Sequence, residues 1–138
     1  MKKKLLAVVL GAAMTLSMAA CGAGDSKSST ESGSKSGSDF KVGIVLDVGG
    51  VNDGSFNQTS WEGLEKAKDE LGIQASYLES DSDGDYAANI ENFIDDDCDL
   101  IICVGYMLAD ATKTAAEENP DQKFAIIDDA TIDLDNVA

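Results

Sequence analysis

Phe40-Lys41-Val42-Gly43-Ile44-Val45-Leu46-Asp47 decides the fold, because this stretch predicts a buried β-strand that ends in a loop. Its centre is a largely continuous apolar run rather than an alternation of apolar and polar residues. Such runs are typical of parallel sheets, whose strands are covered by helices on both faces. Gly49-Gly50 ends the predicted strand.

A helix is predicted directly after this glycine-rich loop, from Ser55 to Leu71. Gly72 follows it, in the position that the end of a helix favours. Apolar residues recur at spacings of three and four, which predicts one stripe against the sheet. That stripe holds Trp61, Leu64, Ala67, Lys68 and Leu71.

Strands and helices continue to alternate towards residue 138. Further strands are predicted at 73–78, 100–104 and 123–128, and further helices at about 85–95 and 109–118. This spacing indicates right-handed βαβ units, so the predicted fold is α/β with a parallel sheet. Residues 40–138 are enough for one small domain.

Ligands of open parallel sheets bind beyond the carboxyl ends of the strands. In this sequence those ends lead into residues 47–53, 80–84, 105–106 and 128–129. A binding site is therefore expected to draw on these four loops. Asp128 closes the last strand at this edge, a placement that favours ligand contact.

The loop from Asp47 to Phe56 is the richest of the four. Gly49 and Gly54 have the spacing of a phosphate-binding P-loop, but Ser55 stands where the lysine is needed. The carboxylates of Asp47 and Asp53 would repel phosphate and suit an uncharged ligand with hydroxyl or N–H donors. A plain turn with Asp and Asn as helix caps explains the loop equally well.

Two other features have both a structural and a functional interpretation. Residues 79–85 faintly resemble a calcium loop, but Ile90 stands where the bidentate glutamate belongs, so a solvated turn is favoured. Trp61 is a core residue by default, yet its ring could meet a flat ligand, and Phe56 competes for that role.

Cys98 and Cys103 are predicted to be buried thiols, too far apart along a strand for a disulfide.

The first 39 residues predict export and anchoring. Lys2, Lys3 and Lys4 precede an apolar run from Leu5 to Ala20, which is too short to span a bilayer. Residues 1–20 therefore predict a signal peptide, and Cys21 at its cleavage site predicts lipidation. Residues 21–39 are rich in Ser and Gly and predict a flexible tether.

Charge narrows the possible partners. After removal of residues 1–20 the chain carries seven lysines, no arginine and 26 carboxylates, a net charge near −19. Such a surface repels phosphate backbones, so nucleic-acid binding is not expected. The absence of histidine from the sequence removes most zinc sites and the usual general base.

Several blocks of residues resemble the basic membrane protein family, lipoproteins that bind nucleosides for ATP-driven importers. The most specific is Asn-Asp-x-Ser-Phe-Asn followed by Trp-Glu-Gly. The matching blocks are Val42–Val45, Gly49–Gln58, Ser60–Leu64, Ile101–Tyr106, Ala109–Ala111 and Asn119–Asp128.

The resemblance implies a two-lobed type I periplasmic-binding-protein fold, of the flavodoxin-like kind. Members are several hundred residues long, so residues 40–138 are expected to form part of the first lobe. The family's pattern implies ligand contacts by Asn52 and Asp53, base stacking on Trp61, and contact with the base by Asp128. Phe56 and Gly105, in the same loops, complete the predicted ligand-binding set.

These observations predict a lipid-anchored solute receptor on the extracytoplasmic face of a bacterial membrane. Its partners would be a purine nucleoside or similar neutral ligand and an ABC importer permease. No cofactor, metal or catalytic residue is predicted. Two other hypotheses remain open: a nucleoside hydrolase that holds calcium on Asp47 and Asp53, and a surface adhesin without a small ligand.

Overall fold

The computed structural model describes residues 38–138, so the predicted signal peptide, Cys21 and most of the predicted tether lie outside the described residues. Strands and helices alternate along this part of the chain, and every element lies within two residues of its predicted ends. The elements are β1 (Lys41–Val45), α1 (Phe56–Leu71), β2 (Gln74–Leu78), α2 (Tyr86–Asp95), β3 (Leu100–Val104), α3 (Ala109–Glu118) and β4 (Phe124–Ile127).

All four strands are parallel and lie in the order β2-β1-β3-β4. The predicted α/β fold with a parallel sheet is thus confirmed. The chain moves outward from β1 to β2 and then returns to the other side of β1 to form β3. The carboxyl ends of β1 and β3 are therefore neighbours at the point where the strand order reverses, which is where open α/β sheets bind ligands.

The core has two layers, one on each face of the sheet. Alternate residues of β1 point to opposite faces, as the period of a strand requires. Val42, Ile44 and Leu46 pack with Leu64 of α1 and with Val104. Val45 packs on the other face, in a cluster to which α2 contributes Tyr86, Ile90 and Phe93, and α3 contributes Ala115 and Ala116.

The predicted apolar stripe of α1 is wrong at its end. Lys68 is exposed and Leu71 is 68% exposed, whereas Asn57 near the start of the helix is fully buried. A 16-residue helix is about 24 Å long and a five-residue strand about 16 Å, so the last turn extends past the sheet. Helical spacing alone does not show how far along α1 the contact with the sheet extends.

Cys98 and Cys103 are both buried free thiols, as predicted. Burial raises the pKa of Cys103 to about 12, so this thiol stays protonated at neutral pH. Both side chains therefore act as small apolar groups in the core.

Within residues 38–138, no helix is long and apolar enough to cross a membrane.

Candidate functional site

The carboxyl ends of the strands meet at one edge of the sheet, here called the carboxyl edge. The backbone N–H of Gly105, after β3, donates to the Ile127 carbonyl at the end of β4, at 2.9 Å. Asp47, after β1, has its Oδ2 atom 3.2 Å from where a β-carbon on Gly105 would lie. Loops that are distant in sequence are therefore in contact here, and they carry five of the predicted site residues: Asn52, Asp53, Phe56, Gly105 and Asp128.

Gly105 is in a conformation that strongly favours glycine. Its φ is +96°, a value that side-chain-bearing residues rarely adopt. A β-carbon there would also press on the Asp47 carboxylate at 3.2 Å. The glycine thus makes room for the Asp47 carboxylate between the ends of β1 and β3.

The glycine loop after β1 is held by two side chains that lie outside it, those of Asn57 in α1 and of Glu79 after β2. Asp47 Oδ1 accepts hydrogen bonds from the Gly49 N–H at 2.8 Å and from the Asn57 amide at 2.6 Å. Glu79, directly after β2, accepts a hydrogen bond from the Val51 N–H at 2.7 Å. Sequence reasoning missed both Asn57 and Glu79. The one available signal for Asn57 was a polar residue in the first turn of a helix that follows a strand-ending aspartate.

Asp53 caps the start of α1. Its Oδ1 accepts from the backbone N–H groups of Ser55 at 2.8 Å and Gln58 at 3.1 Å, and its Oδ2 from that of Asn57 at 3.1 Å. Burial on its own would raise the pKa of Asp53, but these backbone hydrogen bonds outweigh it and lower the pKa below the usual value. The helix-cap interpretation of this residue is confirmed.

The cap makes stability depend on pH in a defined direction. Because the folded state lowers the pKa of Asp53, its stabilisation is fully present above the unfolded-state value near 4 and is lost as the pH falls through the folded value. Asp53→Asn should therefore lower the melting temperature at pH 7. Melting curves between pH 7 and pH 3 should show the gap to the wild type shrinking. A gap that stays constant with pH would contradict the charged cap.

Phe56 presents an exposed aromatic ring beside the end of β4. Its side chain is 54% exposed at the first position of α1. It lines an open groove of about 390 Å³ together with Ser55, Thr59, Ser60 and Ile127. Ile127 directly precedes Asp128, so the groove reaches the end of β4 next to the loop that carries Asp128.

Trp61 lies on the other side of the same helix. It is partly buried against the cluster of Val42, Ile44, Leu46, Leu64 and Val104. Its ring meets the edge of Tyr77 on β2, with ring centroids 4.8 Å apart and planes at 63°. The fold therefore brings Phe56, but not Trp61, to the groove beside Asp128.

Asp128 is exposed and has an unusual backbone conformation. Its φ of +70° lies in the left-handed region, which costs non-glycine residues free energy. Tyr106 and Met107, just after β3, expose 66% and 38% of their surface and add apolar area at the same edge. Among these three residues, only Asp128 belongs to the predicted ligand-binding set.

The carboxyl edge is acidic. None of the five lysines in residues 38–138 lies in the loops at this edge, where Asp47, Asp53 and Asp128 stand. The same part of the chain holds no group of three or more acidic or cysteine side chains placed to bind a metal ion. Chemically, this edge offers hydrogen-bond acceptors and the exposed flat rings of Phe56 and Tyr106, and it repels anions.

Comparisons with known proteins agree with the fold. The sequence profile of the Bmp family, described as PnrA-like ABC transporter substrate-binding proteins, matches residues 40–138. A crystal structure of an ABC transporter solute-binding protein from Aeropyrum pernix has a TM-score of 0.66 and is 32% identical. That match covers 71% of this chain and 27% of the other.

Similar curated proteins are much longer than this chain. A CD4+ T-cell-stimulating antigen of Listeria innocua is 41% identical over 143 residues, which cover 99% of this chain and 40% of that protein. The ABC transporter nucleoside-binding protein BmpA of Lactococcus lactis is 35% identical over 142 residues, with the same two coverages. The chain thus spans about two fifths of the length of these relatives.

Proposed function

Because the chain belongs to the Bmp family of ABC transporter substrate-binding proteins, we propose that it is part of a receptor that delivers purine nucleosides to an ABC importer. The observation that carries this proposal is the exposed ring of Phe56 at an edge whose loops, within residues 38–138, carry carboxylates and no lysine. A nucleoside has a flat base to stack on such a ring. It also has hydroxyl and N–H donors for the acceptors.

The role of each residue follows from its surroundings. We assign base stacking to Phe56, because its ring is exposed in the groove whereas Trp61 packs against the core and Tyr77. Asp128 and Asn52 are both exposed; the Asp128 carboxylate would accept hydrogen bonds from the ligand, and the Asn52 amide would accept or donate them. Asp53 supports the site by fixing the start of α1, and Gly105 makes room for the Asp47 carboxylate at the same edge.

The proposed receptor is tethered to the membrane. The predicted signal peptide would direct export before its removal, and the lipidated Cys21 and the tether at 21–39 would then hold residues 40–138 at the outer face of the cytoplasmic membrane. A hydrocarbon chain on Cys21 and a Ser- and Gly-rich linker would leave the domain free to meet a permease. A BmpA protein that is named as nucleoside-binding is similar over 99% of this chain, which supports the ligand class.

Ligand capture would involve a second lobe. An open groove at one edge of a sheet leaves a small ligand half exposed to water, and binding sites normally bury most of their ligand. We propose that residues 40–138 supply one wall and that a second lobe closes over it by a hinge motion. The closed form would dock on the permease, and the ligand would be released unaltered.

Calorimetric titration of the protein produced from its complete gene tests this proposal. We expect heat of binding with guanosine, adenosine or inosine and at least tenfold weaker binding of the corresponding 5′-monophosphate, because the acidic edge repels phosphate. Chromatography of the recovered ligand should show intact nucleoside. Absence of heat with all three nucleosides rejects the ligand class, and appearance of free base rejects a purely binding role.

A further inference from the structure

We propose that Glu79 is a positioning residue for the ligand site, because it fixes the stretch of the glycine loop that carries Asn52. The inference rests on the proposed function, since it takes the Asn52 amide to contact the ligand. Glu79 itself acts from the loop after β2, where its carboxylate accepts the backbone N–H of Val51 at 2.7 Å.

The glycine loop is not stiff by itself. Gly49 and Gly50 are adjacent, and glycine gives up more conformational freedom on folding than any other residue. The Gly50 N–H donates to the Asp47 carbonyl at 3.2 Å, which closes a tight turn, and Gly50 has a φ of +69°. The residues that follow this turn must therefore be fixed by contacts with other parts of the fold.

Asn52 depends on its two neighbours for its position. It is exposed, and its side chain makes no hydrogen bond in the described part of the chain. Asp53 on one side is fixed by its role as the helix cap. Val51 on the other side packs against the core cluster beside α1 and donates its N–H to Glu79. Within residues 38–138, no other side chain is hydrogen-bonded to the backbone of residues 50–52.

The backbone of Glu79 is itself held firmly by α2. The Asn89 side-chain amide, from α2, donates to the Glu79 carbonyl at 3.1 Å and to the Ser80 hydroxyl at 3.0 Å. Ser80 is 4% exposed, and the carbonyl of Leu78 accepts the Leu46 N–H at 2.9 Å. A side chain that extends from a fixed backbone loses less conformational entropy when it forms a hydrogen bond. Glu79 is thus suited to transmit the position of α2 to the glycine loop.

Gly50 leaves room for the Glu79 carboxylate. A β-carbon at position 50 would lie 3.0 Å from Glu79 Oε1, the same oxygen that accepts the Val51 N–H. A hydrogen bond from a backbone N–H to a carboxylate is charge-assisted and is about twice as strong as a neutral one. The absence of a side chain at position 50 therefore lets this bond form directly beside the turn.

Titration of Glu79 variants of the protein from its complete gene tests the positioning role. The probe is whichever of guanosine, adenosine and inosine the wild type binds best. Glu79→Ala should weaken its binding about 5- to 10-fold, because the Asn52 segment then samples other positions. Glu79→Gln keeps an acceptor oxygen at the same reach and should recover most of the affinity. Glu91→Ala, which removes an exposed carboxylate of α2, is the matched control for charge and should change affinity less than twofold.

A double-mutant cycle separates positioning from support of the fold. In the Asn52→Ala background, Glu79→Ala should weaken binding less than twofold, because no amide is left to position. The change in melting temperature that Glu79→Ala causes should be the same in both backgrounds. An equal loss of affinity in both backgrounds would show that Glu79 does not act through Asn52 and would overturn the inference.

The other outcomes separate this inference from the proposed function. A wild type that binds a nucleoside, with Glu79→Ala binding it equally well, overturns the inference alone. A loss with Glu79→Gln as large as with Glu79→Ala would assign the effect to charge rather than to the hydrogen bond, and would overturn it too. A wild type that binds none of the three nucleosides overturns the proposed function and the inference together.

Discussion

Replacing Phe56 by alanine is expected to weaken nucleoside binding by about 10- to 100-fold. Stacking of a base on an aromatic side chain contributes about 1–3 kcal/mol, and Phe56 offers the exposed ring beside the Asp128 loop. Phe56→Trp should retain most of the affinity, because it keeps a flat face. Calorimetric titration of the protein from its complete gene gives the dissociation constants.

Trp61→Ala is the matched control for this prediction. Its ring packs on the core and on Tyr77, so its loss should lower the melting temperature while affinity changes less than about threefold. The reverse pattern, with Trp61→Ala abolishing binding and Phe56→Ala leaving it intact, would return the stacking role to Trp61. It would also mean that the groove at Ile127 is not where the base binds.

Gly43→Ala is expected to destabilise the fold by about 1–3 kcal/mol. A β-carbon at this position would lie 2.4–2.6 Å from three atoms of the Phe93 ring, too close for any real contact. Gly43 is in β1, which is paired on both sides, and Phe93 is 3% exposed, so neither can move freely. Overpacking of a filled core costs free energy of this size. Urea denaturation of the protein from its complete gene measures the loss.

The cause of this loss can be checked by shrinking the opposing side chain. Phe93→Leu should destabilise the wild type but should cost much less, or even stabilise, when Gly43→Ala is already present. Gly63→Ala, on the exposed face of α1 with nothing within 4 Å of its β-carbon, is the matched control and should be neutral or stabilising. Equal stability of Gly43→Ala and the wild type would show that α2 packs elsewhere.

The sheet could be predicted because each strand is specified locally. The apolar runs that contain Ile44 and Ile101 are bounded by glycine or aspartate, and those boundaries also place Gly105 and Asp128 at the carboxyl edge. The order of the strands depends on which side of β1 each crossover returns to. The sequence carries that information only through its likeness to a family.

The candidate site was harder to predict, because its details depend on how α1 is rotated over the sheet. Phe56 and Trp61 are five residues apart on one helix, and only packing decides that the first faces β4 and the second faces β2. Asn57 looks like an ordinary polar residue of a helix start, yet it is completely buried against Asp47. Pairing across ten residues of loop has no periodic signal.

A crystal structure of the complete protein with a bound nucleoside would show where the base binds. We expect the base to be stacked on Phe56, with ring centroids about 4.5–7 Å apart, and a donor of the ligand to lie about 3 Å from a carboxylate at the carboxyl edge. A nucleoside bound instead at the opposite edge of the sheet, in the groove lined by Asp97, Asn119 and Gln122, with Phe56 left in solvent, would contradict this expectation.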